Sequence, residues 1–192
     1  MSVHTLNLAN FEKQLIEIVG RPTETRPFVC DGSPLECQVF LVGYNPATNM
    51  SDNFWDFWTE QGFDRTLWYA EYLRERATRP LKPGKTRRQN VSSTRRMMDK
   101  VIEGAGIPIL ETNLYAHPSV DAKSLKHKDR RPFDFLLDTI QPKVIVTHGE
   151  DAKQVMAEIQ TSAKVISVPH LSRGWSFDRA LSLGQNIKNL VV

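Results

Sequence analysis

Four short runs along the chain are apolar without clean alternation: Gln38-Val39-Phe40-Leu41-Val42, Ile107-Pro108-Ile109-Leu110-Glu111-Thr112, Lys143-Val144-Ile145-Val146-Thr147 and Lys164-Val165-Ile166-Ser167-Val168. Successive β-branched and aliphatic side chains suit strands covered on both faces, so the pattern predicts a mostly parallel sheet of four strands. Pro108 stands at the start of its run, where a missing N–H is tolerated.

Between these runs the period changes to that of a helix. Phe11 to Val19 aligns Phe11, Leu15, Ile18 and Val19, and Gly20 and Pro22 end it. Asp64 to Ala77 turns Leu67, Trp68, Tyr72 and Leu73 inward. Ser92 or Ser93 caps a helix carrying Met97, Met98, Val101 and Ile102, which stops at Gly104 or Gly106. Helices are also expected over Phe133 to Ile140, Glu150 to Ile159 and Asp178 to Leu190, while Arg79 to Gln89 reads as an irregular loop. Alternating helices and strands joined by right-handed crossovers build a doubly wound, three-layer α/β/α sandwich. The whole chain, 1–192, is read as one such domain.

Composition narrows the picture. Apolar residues make up 40% and charged residues 24% of 192 residues, as in a globular protein with one full core. There is no apolar run long enough to cross a bilayer and no signal-peptide pattern at the amino terminus, so an intracellular, cytoplasmic protein is expected, with no membrane partner. Cys30 and Cys37 read as buried, idle thiols. No His/Cys/carboxylate spacing suggests a metal, and no organic cofactor is implied. A monomer is expected. The net charge is +3, but Arg74 to Arg96 holds nine Lys or Arg against Glu75 alone, leaving the remainder at −5. Such a segment points to a polyanion contact or to a solvated loop.

In an open parallel sheet the ligand site lies beyond the carboxyl ends of the strands. After the first strand comes Gly43-Tyr44-Asn45-Pro46, a sharp turn with a stiff exit; read alone, Asn-Pro is a common turn dipeptide. After the second comes Thr112-Asn113, after the third His148-Gly149, and after the fourth Pro169-His170-Leu171-Ser172-Arg173. His148 reads as a helix start. Two asparagines and His170 are thus brought to one edge.

This set resembles the uracil-DNA glycosylase superfamily. Gly43-Tyr44-Asn45-Pro46 is similar to the Gly-x-Asn-Pro turn of the mismatch-specific and single-strand-selective branches. Thr112-Asn113 resembles the base-reading Asn, and His170-Leu171-Ser172 a shortened His-Pro-Ser loop. The family's stacking aromatic lies about thirteen residues after the turn's polar residue, which here reaches Trp58 within Phe54, Trp55, Phe57 and Trp58. The resemblance spans roughly Val39 to Gly174 and departs at Ala47, which replaces a Gly, at Leu171, which replaces a Pro, and in the basic segment at about 74–96, which looks like an insertion. The cluster cysteines of the thermostable branch are missing.

The resemblance implies a hydrolase that cleaves the N-glycosidic bond of uracil, or of a related damaged or mismatched base, in DNA. Such enzymes act in base excision repair and flip the base from the stack. Asn45 would position water, and His170 would stabilise the departing base. Tyr44, Trp58 and Asn113 would bind the base. Arg87, Arg88, Arg95, Arg96, Ser172 and Arg173 would hold phosphates of single- or double-stranded DNA near the nucleoid. A non-catalytic nucleic-acid binder and a nucleotide or small-molecule pocket protein remain as alternatives on the same architecture. Two short motifs are set aside. Gly84-Lys85-Thr86 lacks the spacing of a phosphate loop, and His117-Pro118-Ser119 follows the second strand rather than the last. His4 and His127 carry no signal.

Overall fold

The first helix, α1 (Leu8–Val19), starts where the Asn7 side chain accepts from the Asn10 amide at 2.9 Å, and it turns Phe11 and Leu15 inward. The computed structural model describes residues 7–47, 50–81, 83–84, 86–120 and 122–191. Thr48 and Asn49 of the first turn, Lys82 and Lys85 of the basic segment, and His4 lie outside the described residues.

The strands are β1 (Phe28–Val29), β2 (Val39–Gly43), β3 (Trp58–Thr59), β4 (Gly62–Phe63), β5 (Ile109–Asn113), β6 (Val144–His148) and β7 (Lys164–Val168). Five of them form one sheet in the order β1-β5-β2-β6-β7, parallel except for β1. The expected four strands are all there. The fifth, β1, is two residues long and antiparallel to β5, held in part by Thr112 Oγ1 donating to the Pro27 carbonyl at 2.7 Å. Strands β3 and β4 make a separate short hairpin.

The remaining helices are α2 (Arg65–Thr78), α3 (Ser93–Ala105), α4 (Arg131–Ile140), α5 (Glu150–Met156) and α6 (Phe177–Val191). Side chains alternate across the sheet and feed two cores. Phe40, Val42, Leu110 and Ile145 pack with Phe11 and Leu15 of α1, Phe133 and Leu136 of α4 and Met156 of α5. Val39, Leu41, Ile109, Val144 and Val146 pack with Met97 and Val101 of α3 and Ala180 and Ile187 of α6. Each fully buried aliphatic or aromatic side chain contributes roughly 1.5–3 kcal/mol. Helices thus cover both faces. Helices α3 and α6 cross closely enough that a Cβ on Gly104 or Gly184 would strike the other helix's backbone.

Cys30 and Cys37 are buried free thiols, as expected. Among the described residues no helix is long and apolar enough to cross a membrane.

Candidate functional site

Three parallel strands end side by side at the carboxyl edge. Gly43 of β2 stands opposite Asn113 of β5, and on the other side Val42 pairs with Thr147, which places His148 next along β6. Alternation puts Gly43, Asn113 and His148 on the same face as Leu41, Val146 and Glu111. Beyond this edge opens a cleft of about 890 Å³ whose walls include Asn45, Ala47, Asn113, His148 and His170. The chain matches no known family model and no curated protein.

Asn45 is fixed by its amide nitrogen, which donates to Ser119 Oγ at 2.8 Å and to the Pro46 carbonyl at 3.1 Å. Ser119 in turn donates its backbone N–H to the Pro46 carbonyl at 2.9 Å. His117-Pro118-Ser119 therefore clamps the first turn, and all three residues line the cleft. With its nitrogen so committed, Asn45 presents Oδ1 as its remaining polar group.

His170 sits in the loop after β7. The Ser172 backbone N–H donates to its Nδ1 at 3.2 Å, and Ser172 Oγ lies 2.8 Å from the same nitrogen. Nδ1 is therefore the acceptor and the ring proton is on Nε2. His170 is solvent-accessible; its partial burial, aided by the charge of Arg173, holds its pKa below the usual value against the pull of Asp151. Leu171, in place of the Pro of the His-Pro-Ser loop that this segment resembles, is fully buried in the α3/α6 core, so hydrophobic anchoring fixes this loop. Ser172 orients His170 and is not part of the cleft wall; Arg173 is exposed outside it.

His148, read from sequence as a helix start, is a buried wall residue. Its ring meets that of His170 edge to face, centroids 5.0 Å apart. Burial, then the neighbouring His170 and Arg95, push its pKa down to about 3, so the imidazole is neutral.

The aromatic side of the cleft differs from expectation. Trp58 does not line it; its ring stacks on Phe11 at 6.2 Å and packs edge-on to Phe28 and Trp55. Phe54 and Phe57, on the short 3₁₀ turn Phe54–Phe57, face the cleft instead. Tyr44 also points elsewhere, edge to face with Tyr115 at 5.1 Å.

The basic segment is largely spent on structure. Arg95, expected to hold phosphates, is nearly buried, with its guanidinium 4.8 Å from the Trp68 ring centroid and ion-paired to the buried Glu111 on the cleft wall. Burial opposes its charge, yet the Glu111 and Asp99 carboxylates outweigh burial and raise its pKa. Arg65 joins the same carboxylates at 2.8 Å (Asp99) and 3.3 Å (Glu111). Arg88 donates to the carbonyls of Arg76 and Pro80, and Arg76 to those of Gln89 and Asn90, stapling the α2–α3 connection. Arg96 is half-buried with Nε sealed and unpartnered among the described residues. Arg87 is exposed but off the cleft wall.

A second cationic stretch, missed in the sequence, borders the cleft. It carries Lys123, Lys126, Lys128, Arg130 and Arg131 against Asp129 among the described residues from 122 to 131. Lys126 and His127 line the cleft, and the His127 ring lies 5.3 Å from that of His117. The charge density was legible in the sequence; its place beside the cleft follows only from the clamp at Ser119.

Proposed function

We propose that this chain is a DNA glycosylase of the uracil-DNA glycosylase type, on that family's three-layer α/β/α architecture, and that it hydrolyses the N-glycosidic bond of uracil or a related base. The observation that carries the reading is that Asn45, Asn113 and His170, from the ends of three different strands, line one cleft.

The chemistry follows from what each side chain can do. An amide is no base, so Asn45 Oδ1 accepts a hydrogen bond from the attacking water and orients its oxygen toward C1′ of the sugar. As the C1′–N bond breaks, its electron pair goes to the base, leaving an oxocarbenium-like sugar that water captures with loss of a proton to solvent. His170 donates Nε2–H to the base oxygen that gains charge. A neutral donor suits this role because its depressed pKa keeps it un-ionised at pH 7. Asn113 reads the polar edge of the flipped base, and the cleft-facing rings of Phe54 and Phe57 offer stacking surface, typically worth about 1–3 kcal/mol per base. Phosphates are met by Lys123, Lys126 and Lys128, all exposed beside the cleft, rather than by Arg95.

The test is release of base from DNA with uracil at a defined position, in single and double strands. His170→Ala and Asn45→Ala are each expected to lower the rate by about 100-fold or more. Equal rates in the variants reject these roles.

A further inference from the structure

The notch at Gly43 assigns a task to His148. A Cβ on Gly43 would lie 2.6 Å from Asn113 Oδ1 and 3.2 Å from His148 Nε2. Gly43 thus lets polar atoms of two cleft-lining residues on the flanking strands converge over its Cα, where a side chain would collide with them. His148 is 7% exposed, and its other nitrogen, Nδ1, is sealed in the protein with no partner among the described residues. A sealed N–H without an acceptor is rarer and costlier than a sealed lone pair. The single proton of the neutral ring therefore sits on Nε2, facing the notch. Burial first, then the neighbouring His170 and the charge of Arg95, oppose a second proton. The notch accordingly holds one donor, Nε2–H, beside one acceptor, Asn113 Oδ1.

We infer that His148 is a base-reading residue, paired with Asn113, and that the pair selects bases presenting a carbonyl oxygen beside a ring N–H. This rests on the glycosylase reading of the cleft. Uracil and hypoxanthine carry that lactam edge: the carbonyl accepts from His148 and the ring N–H donates to Asn113. Cytosine carries the reverse, an amino group beside a ring lone pair. It would set donor against donor and lone pair against lone pair, and unpaired buried polar groups make such mismatches costly.

The experiment titrates 1-methyluracil and 1-methylcytosine, their N1 blocked as it is in DNA, into the full chain, following the ¹⁵N resonances of the His148 ring and the Asn113 amide. The methylated uracil is expected to shift both, and the methylated cytosine neither at the same concentration. His148→Leu, which keeps bulk but removes the donor, should weaken uracil binding about tenfold or more. His148→Gln, whose amide N–H falls near the place of Nε2, should restore most of it. Uracil shifting Asn113 while leaving His148 unmoved, cytosine shifting both, or equal losses in His148→Gln and His148→Leu would overturn the role of His148 and leave the glycosylase reading intact. Silence of both resonances toward uracil, with base still released from DNA, overturns the lactam reader alone; silence with no base released overturns both. Response of both, with no base released from DNA, upholds the lactam reader and rejects the glycosylase.

Discussion

At Gly43 even one methyl group would enter the space between Asn113 and His148. Gly43→Ala is therefore expected to fold with a loss of about 1–3 kcal/mol. It should also lose base release by about 100-fold, since displacement of a reading group by about 1 Å costs that much. Urea melts and a rate assay on the same preparation check the two numbers. His148 gives a pH signature. Its pKa is about 3 in the folded chain against an ordinary 6.5. A base with a depressed folded pKa contributes stability that is complete above the unfolded value and declines as pH falls from 6.5 toward 3. Between pH 6.5 and 5 this amounts to roughly 2 kcal/mol. Urea melts at pH 7 and pH 5 should show that loss in the wild type and not in His148→Gln; equal slopes would refute the neutral, buried ring. Asn45, Asn113 and His170 were legible in the sequence because each ends an apolar run at the sheet's carboxyl edge. His148 occupies the same kind of position, but His-Gly before an acidic helix start reads equally well as a boundary. Only the register beside Gly43 separates the two.

Helix α3 ties the cleft to the second core. Its residue Arg95 reaches across to Glu111 of β5, the side chains 11% and 4% exposed. Removing Arg95 leaves the buried Glu111 only the longer contact with Arg65 at 3.3 Å, so Arg95→Ala should cost up to about 3–5 kcal/mol, whereas Arg87→Ala, at an exposed position, should stay within about 0.5 kcal/mol. Thermal or urea denaturation separates these outcomes; near-equal stabilities would contradict the buried pair. The same helix crosses α6 at Gly104 and Gly184, where an added Cβ meets backbone that cannot swing aside. At this scale the four parallel strands could be read from their continuous apolar runs. The two-residue β1 could not, because its pairing with β5 is tertiary. Nor could counting along the chain choose between Phe57 and Trp58. The 3₁₀ turn sends Phe57 to the cleft, while Trp58 opens a strand and stacks on Phe11.

Across the whole molecule, charge is distributed differently from what the sequence suggested. The dense run from Arg74 to Arg96 spends Arg76, Arg88 and Arg95 on carbonyls and carboxylates of the fold. The exposed lysines 123, 126 and 128 lie instead beside the cleft. A cation's side-chain partners, invisible in a sequence, decide whether it is available to phosphate. DNA affinity measured against salt should therefore show a log–log slope that falls by about 1 for each of Lys126→Ala and Lys128→Ala. Arg88→Ala should lower stability with little change in slope. Unchanged slopes in the lysine variants would remove this stretch from the interface.

The most direct test of the account is the appearance of abasic sites in uracil-containing single- and double-stranded DNA incubated with the wild-type chain and with Asn113→Ala and His170→Ala. Abasic sites formed by the wild type and strongly reduced in both variants are the predicted result. No abasic sites on uracil, hypoxanthine or mismatched substrates would contradict it.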